Sequence, residues 1–171
     1  MFGIKWRLSA AAQQFACSRY MGGVQRLQTL RRLGMVGIGN CWIEPGVEFR
    51  FRDIQIGDGS YINTGSFFEG DPPVVIGRNV AVGPYCRVLT RSHELDRGER
   101  RAGPLTYGSV TIGDGTWIGA SVTILPGVDV APGCVIAAGA VVAKSTAPDG
   151  LYAGVPAHRI RDLQSHRGEH G

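Results

Sequence analysis

No stretch of the 171-residue sequence approaches the 18 or more apolar residues that a helix needs to cross a bilayer. Near the N-terminus Lys5 and Arg7 precede Leu8-Ser-Ala-Ala-Ala12, but Gln13-Gln14 interrupts that run and no long apolar core follows, so a cleaved signal is not expected. The four cysteines stand far apart, at 17, 41, 86 and 134. They form no C-x-x-C pair and no small secreted-domain pattern, which points to reduced thiols rather than a disulfide framework. Charge is also sparse, 19% of residues against 43% hydrophobic, a balance that excludes disorder. Acidic residues are missing from residues 1–33, which hold Lys5, Arg7, Arg19, Arg26, Arg31 and Arg32. The net charge of +4 therefore belongs to this arm, and the pI of 9.1 is no argument for a nucleic-acid partner.

What is abundant is glycine, 26 of 171 residues against a typical share of roughly 7%. Together with nine prolines it excludes a mostly helical chain, and it does not recur every third residue as collagen requires. Stepping by six from Ile112 meets Ile118, Ile124, Val130, Ile136 and Val142. Four residues after each of these stand Thr116, Val122, Val128, Cys134, Ala140 and Thr146, all small or β-branched. The fourth position and the next anchor are two apart, so both face one side of a short strand such as Thr116-Trp117-Ile118, and the residues between are a corner. Glycines gather at these corners, at 57, 77, 83, 113 and 119 just after the anchor and at 46, 59, 65, 115, 127, 133 and 139 three residues after it.

Backwards, the frame runs less regularly through Ile43, Phe49, Ile56, Ile62, Phe68, Ile76, Val82 and Val88. It is lost over residues 94–105 and resumes at Thr106, which predicts an extruded loop on an undisturbed solenoid. The fifteen anchored hexads, eight before the loop and seven from Thr106, predict a mostly β fold, a parallel β-helix of about five three-sided coils over residues 37–150. Cys41, Cys86 and Cys134 fall on the small inward position and read as core filler rather than redox or metal groups. Residues 151–171 read as a C-terminal segment and tail. Residues 1–36 read as a basic helical arm, in which Val24, Leu27, Leu30 and Leu33 make an apolar face and Gly34 is a helix stop.

In these repeats the sequence resembles the hexapeptide-repeat acyltransferases, in the branch of maltose, galactoside, nodulation-factor and exopolysaccharide O-acetyltransferases. The resemblance runs from about Ile56 to Leu163 and rests on Ile112-Gly-Asp-Gly-Thr-Trp-Ile-Gly119, Leu125-Pro-Gly-Val128, Ala138-Gly-Ala-Val-Val142 and Ala153-Gly-Val-Pro-Ala157. It implies a left-handed β-helix, a homotrimer with active sites between neighbouring β-helices, and acetyl-coenzyme A as acyl donor with no metal.

Acyl transfer from a thioester to an alcohol needs a base, because the hydroxyl is a weak nucleophile near pH 7 until its proton has a destination. Of the four histidines, His166 and His170 lie in a polar tail and His158 follows the repeats, whereas His93 closes the last regular hexad before the extruded loop. Thr90-Arg91-Ser92-His93 matches the family's threonine-x-x-histidine segment, so the resemblance makes His93 the general base. It also carries acceptor contacts to Asn63 and Asp71, whose plain readings are a corner asparagine and a turn aspartate. Trp117 matches a tryptophan flanking the thioester end of the coenzyme, the Ala120 N–H a group for the pantetheine or the oxyanion, and Ala138 the same groove. Lys144 and Arg161 match cations near the coenzyme phosphates. A further family arginine position holds His158, with Arg159 next to it.

The arm departs from the family's acid-containing cap, and two readings stand. It seals the open end of the solenoid, or it is a membrane-surface helix that brings the enzyme to lipid-linked glycans. The departure moves the expected acceptor from simple galactosides or maltose toward saccharide units of a surface polysaccharide or glycolipid. The expected location is cytoplasmic or peripheral at the inner membrane surface. Acetylation of an amino-sugar nitrogen or of serine would use the same base, although the long helical domain of serine acetyltransferases is missing. A γ-type carbonic anhydrase shares the β-helix but needs three converging zinc-binding histidines, and only His93 lies within the repeats. An ice-binding or scaffold solenoid would show flat threonine arrays, which the repeats lack.

Overall fold

A computed structural model describes residues 11–164. The chain winds as a parallel β-helix with three faces. The first face stacks Ile54–Ile56, Val74–Ile76, Val110–Ile112 and Asp129–Val130, with Ile38 bridging to Ile56 below them. The second stacks Trp42–Ile43, Tyr61–Ile62, Ala81–Val82, Trp117–Ile118, Val135–Ile136 and Gly150–Ala153. The third stacks Glu48–Phe49, Phe67–Phe68, Arg87–Val88, Thr123–Ile124 and Val141–Val142. Each strand pairs in register with the one a coil away, so Ile56, Ile76, Ile112 and Val130 form one inward ladder and Ile62, Val82, Ile118 and Ile136 another. These ladders are buried, and truncating one rung, as in Ile118→Ala, is expected to cost about 2–5 kcal/mol.

The solenoid has about six turns rather than five. Five coils are complete, and a sixth opens where the Thr146 N–H donates to the Asp129 carbonyl and Gly150–Ala153 pairs with Val135–Ile136. The strand His158–Asp162 then closes the second face by antiparallel pairing, so residues 150–162 continue the stack. Thr106 is no anchor, because it lies in the extruded segment, and Ile38 supplies the missing rung at the other end. The extrusion is also longer and more ordered than the expected loop at 94–105. It is an antiparallel hairpin of Arg91–Leu95 against Ala102–Tyr107.

The two glycine sets have different physical origins. Those three residues after the anchor, such as Gly115, sit at positive φ, where other residues are strained. Those just after the anchor have ordinary φ but face the next coil: a Cβ at Gly119 would lie 2.6 Å from the Ala138 nitrogen.

The arm caps the first coil. Residues 11–16 are helical, and the helix Gly23–Arg32 packs against Trp42–Ile43 with Leu30 fully buried and Val24 exposed. Gly34 stops it at φ +99°, with Gly34 N–H bonding Arg31 O and Met35 N–H bonding Leu30 O. Arg26, one of the arm's basic residues, is buried and donates to the carbonyls of Ala16, Ser18, Met21 and Ile43. It ties the cap to the solenoid. Lys5, Arg7, His166 and His170 lie outside the described residues.

Candidate active site

The residues singled out by sequence gather at two corners of the prism. At the corner between the second and third faces, one column of successive coils reads Glu44, Asn63, Gly83, Gly119 and Ala137, fixed by bonds such as Asn63 N–H to Val82 O and Gly119 N–H to Ile136 O. The next column reads Pro45, Thr64, Pro84, Ala120 and Ala138, fixed by Ser121 N–H to Pro84 O and Gly139 N–H to Ala120 O. In that second column the prolines have no N–H to give, and Thr64 gives its own to the Asn63 side chain at 2.8 Å. Among the described residues, the N–H groups of Ala120 and Ala138 donate to nothing. Two free donors on consecutive coils, beside the small side chains of Ala120 and Ala138, form a backbone cradle suited to carbonyl or oxyanion oxygens. Trp117, 58% exposed, stands at the start of the strand leading into this corner. Arg161 pairs with Leu151, two steps beyond Trp117 on the same face.

The corner between the third and first faces carries the hairpin. His93 projects from it exposed, and its Nδ1 lies 2.7 Å from the Gly103 carbonyl oxygen on the opposite strand. A carbonyl only accepts, so Nδ1 carries the hydrogen and Nε2 presents a lone pair. The hairpin root is a knot of side chains. Glu69, buried one coil below, accepts from the N–H groups of Thr90 and Arg91 at 2.9 and 3.0 Å. The Thr90 hydroxyl and the Arg91 guanidinium both donate to the Asp71 carbonyl oxygen, and Arg91 pairs with the Asp71 carboxylate. The guanidinium also lies over the rings of Phe51 and Tyr107, at 4.3 and 5.6 Å. Asp71, expected to meet an acceptor, thus holds the root that aims His93. Lys144 sits at this same corner two coils further on.

The structure therefore brings Asn63, Trp117, Ala120 and Ala138 to one corner and Asp71 and His93 to another. The third face lies between them, and its residues 66–69 span about 10–13 Å at strand rise. Glu69, Arg91 and the Gly103 carbonyl were missed by sequence reasoning; the one cue was a carboxylate directly after the anchor Phe68. Arg159 is occupied internally, donating to Asp162, Tyr152 and the carbonyls of Ala147, Pro148 and Asp149. Burial pushes the Cys17 and Cys41 thiols up to about 11 and raises that of Cys86, which disfavours the thiolate at these three positions. Among the described residues no three His, Cys, Asp or Glu side chains gather as a metal site.

The parallel β-helix points to the solenoid acyltransferases, and the comparisons with known proteins agree. The bacterial transferase hexapeptide family (six repeats) matches residues 109–144. Galactoside O-acetyltransferase of Escherichia coli is 34% identical over 142 residues, 82% of this chain and 70% of that protein. A hexapeptide-repeat acetyltransferase of Vibrio cholerae superposes with a TM-score of 0.83 at 31% identity, over 93% of this chain and 91% of that one. The same Vibrio protein in complex with acetyl-coenzyme A matches with a TM-score of 0.83 at 28% identity, over 93% and 87%. The aligned stretches take in 60–70% of the first three curated relatives' lengths. The chain belongs to the hexapeptide-repeat acetyltransferase family and is an acetyl-coenzyme A-dependent acyltransferase.

Proposed function

We propose that the protein acetylates a hydroxyl of a sugar or glycan, a unit of a surface polysaccharide or glycolipid, with His93 as general base. The observation that carries this reading is the Nδ1 contact with Gly103 O, which leaves Nε2 free to accept a proton. The thioester of the donor supplies the activated acetyl group. The acceptor hydroxyl lies against Nε2, which takes its proton as the oxygen attacks the thioester carbonyl, while Nδ1–H stays on the Gly103 carbonyl and steadies the imidazolium. As the C–S bond breaks, the imidazolium returns that proton to the departing coenzyme A thiolate, leaving the acetyl ester and a neutral ring. The Ala120 N–H meets the developing oxyanion, the Ala138 N–H holds the pantetheine arm, and Lys144 and Arg161 draw the phosphates. Asn63 bonds the acceptor, as does any part of the Asp71 carboxylate that Arg91 leaves free.

Because the cradle and His93 occupy different corners, the reading requires a homotrimer in which one subunit's hairpin faces its neighbour's cradle. The galactoside named for the Escherichia coli relative supports a sugar acceptor. The reading has the enzyme work in the cytoplasm, at the inner membrane surface where the cap meets lipid. The cap exposes Phe15, Tyr20, Val24, Arg19 and Arg32, and equal binding to neutral and anionic vesicles at low salt would remove that contact. The acceptor is tested by following acetyl-coenzyme A turnover on free, nucleotide-linked and lipid-linked sugars and on amines. Turnover confined to amines would reject O-acetylation of sugars.

A further inference from the structure

The cap end of the cradle corner holds a cluster that the reaction does not use. Trp42 and Tyr61 lie opposite each other on adjacent strands of the second face, 50% and 37% exposed. One oxygen of Glu44, Oε1, accepts from both the indole N–H at 3.0 Å and the phenol O–H at 2.9 Å. The second carboxylate oxygen of Glu44 has no partner among the described residues. Glu44 lies one coil below Asn63 in the same column. On the outward side of the second face, Trp42 and Trp117 are three coil steps apart, about 14 Å.

Large exposed rings are costly to leave in water, and rings tied to one carboxylate have little freedom left to lose on binding. Rings with a free carboxylate oxygen at their edge match the surface of a pyranose, whose C–H face is apolar and whose rim is hydroxyls. A purely apolar partner would leave Glu44 desolvated and half-paired, which argues against a protein face at this place. We infer that Trp42, Tyr61 and Glu44 form an accessory acceptor subsite that binds the sugar unit next to the one acetylated, so the preferred acceptor is an oligosaccharide. This rests on the sugar-acceptor reading above and lengthens its site toward the cap.

The test is a set of acceptor ladders, mono- to pentasaccharides of β-linked glucose, galactose and N-acetylglucosamine, with acetyl-coenzyme A saturating. In at least one ladder kcat/KM is expected to rise about tenfold from the single sugar to the trisaccharide, chiefly through KM, equivalent to ~1.4 kcal/mol of added contact. Trp42→Ala and Glu44→Ala should flatten that rise to within about twofold. Trp42 also packs on Gly23, so Glu44→Ala and thermal melting of both variants separate lost contact from a loosened cap. Single sugars acetylated as well as longer ones in every ladder would overturn the subsite while leaving the sugar reading intact. A change in oligomer mass in Trp42→Ala, read by light scattering, would assign the rings to a second copy instead. No turnover on any sugar by a protein that binds the coenzyme would reject both readings.

Discussion

The two corners of the solenoid are built in opposite ways. The cradle corner is built by repetition: the same turn recurs coil after coil, and Ala120 and Ala138 keep an unused N–H where Pro45 and Pro84 have none and Thr64 gives its own to Asn63. At the hairpin corner the chemistry comes from interruption, since a segment leaves the stack and needs Glu69, Asp71 and Arg91 to aim one imidazole. A repeated corner is rigid because both neighbours template it. An insertion is only as rigid as the side chains at its root.

That contrast is broken most severely by removing the base. His93→Ala is expected to lower kcat about 10²- to 10⁴-fold with coenzyme affinity little changed, and retention of most activity in steady-state assays would reject the assignment. Ala120→Pro deletes one backbone donor without altering a side-chain role. The Gly83-Pro84 corner, one coil below Gly119-Ala120, shows that proline fits this column after glycine. The variant should fold with nearly unchanged melting temperature and lose about 10²- to 10³-fold in kcat. Unchanged kcat would place the oxyanion elsewhere.

Loosening the hairpin root should act through the base. Glu69→Gln weakens the charged acceptor of two N–H groups, each such bond being worth about 1.5–3 kcal/mol. A loss of about tenfold in kcat with coenzyme KM unchanged is expected, and a shift in KM alone would mean that Glu69 serves donor binding. The smallest effect is alkaline. The Cys17 thiol is held neutral by burial, with its pKa pushed up to about 11 from an ordinary 9.0. Its contribution to stability is therefore complete below about pH 9 and lost as the pH rises toward 11. The melting temperature should fall by a few degrees more across that window than it does in Cys17→Ala. Parallel curves would show that the Cys17 thiol titrates alike in the folded and unfolded states.

Legibility in the sequence follows the same division. The solenoid, its inward ladders and the glycines with positive φ were readable because one geometric rule recurs every six residues. The sixth turn was not, because the six-residue step after Val142 meets Pro148, while Tyr152 takes the inward place beyond Ile136 and its hydroxyl accepts from the Ala147 N–H. Thr106 passed as an anchor because hairpin strands also alternate. His93 was found through family resemblance, while its orienting Gly103 carbonyl depends on a register across the hairpin that no local signal carries. The burial of Arg26 was not legible for a related reason: its four carbonyl partners converge on it only after folding.

In the proposed trimer each site takes its base from one subunit and its cradle from the next. Co-expressing His93→Ala and Ala120→Pro chains with different tags, and purifying the mixed trimers by both tags, tests it directly. Each mixed trimer should regain one intact site of three, so activity should return to about a third of wild type although either variant alone is nearly inactive. Mixed trimers no more active than the separate variants would show that each chain carries its own complete site and would contradict the account.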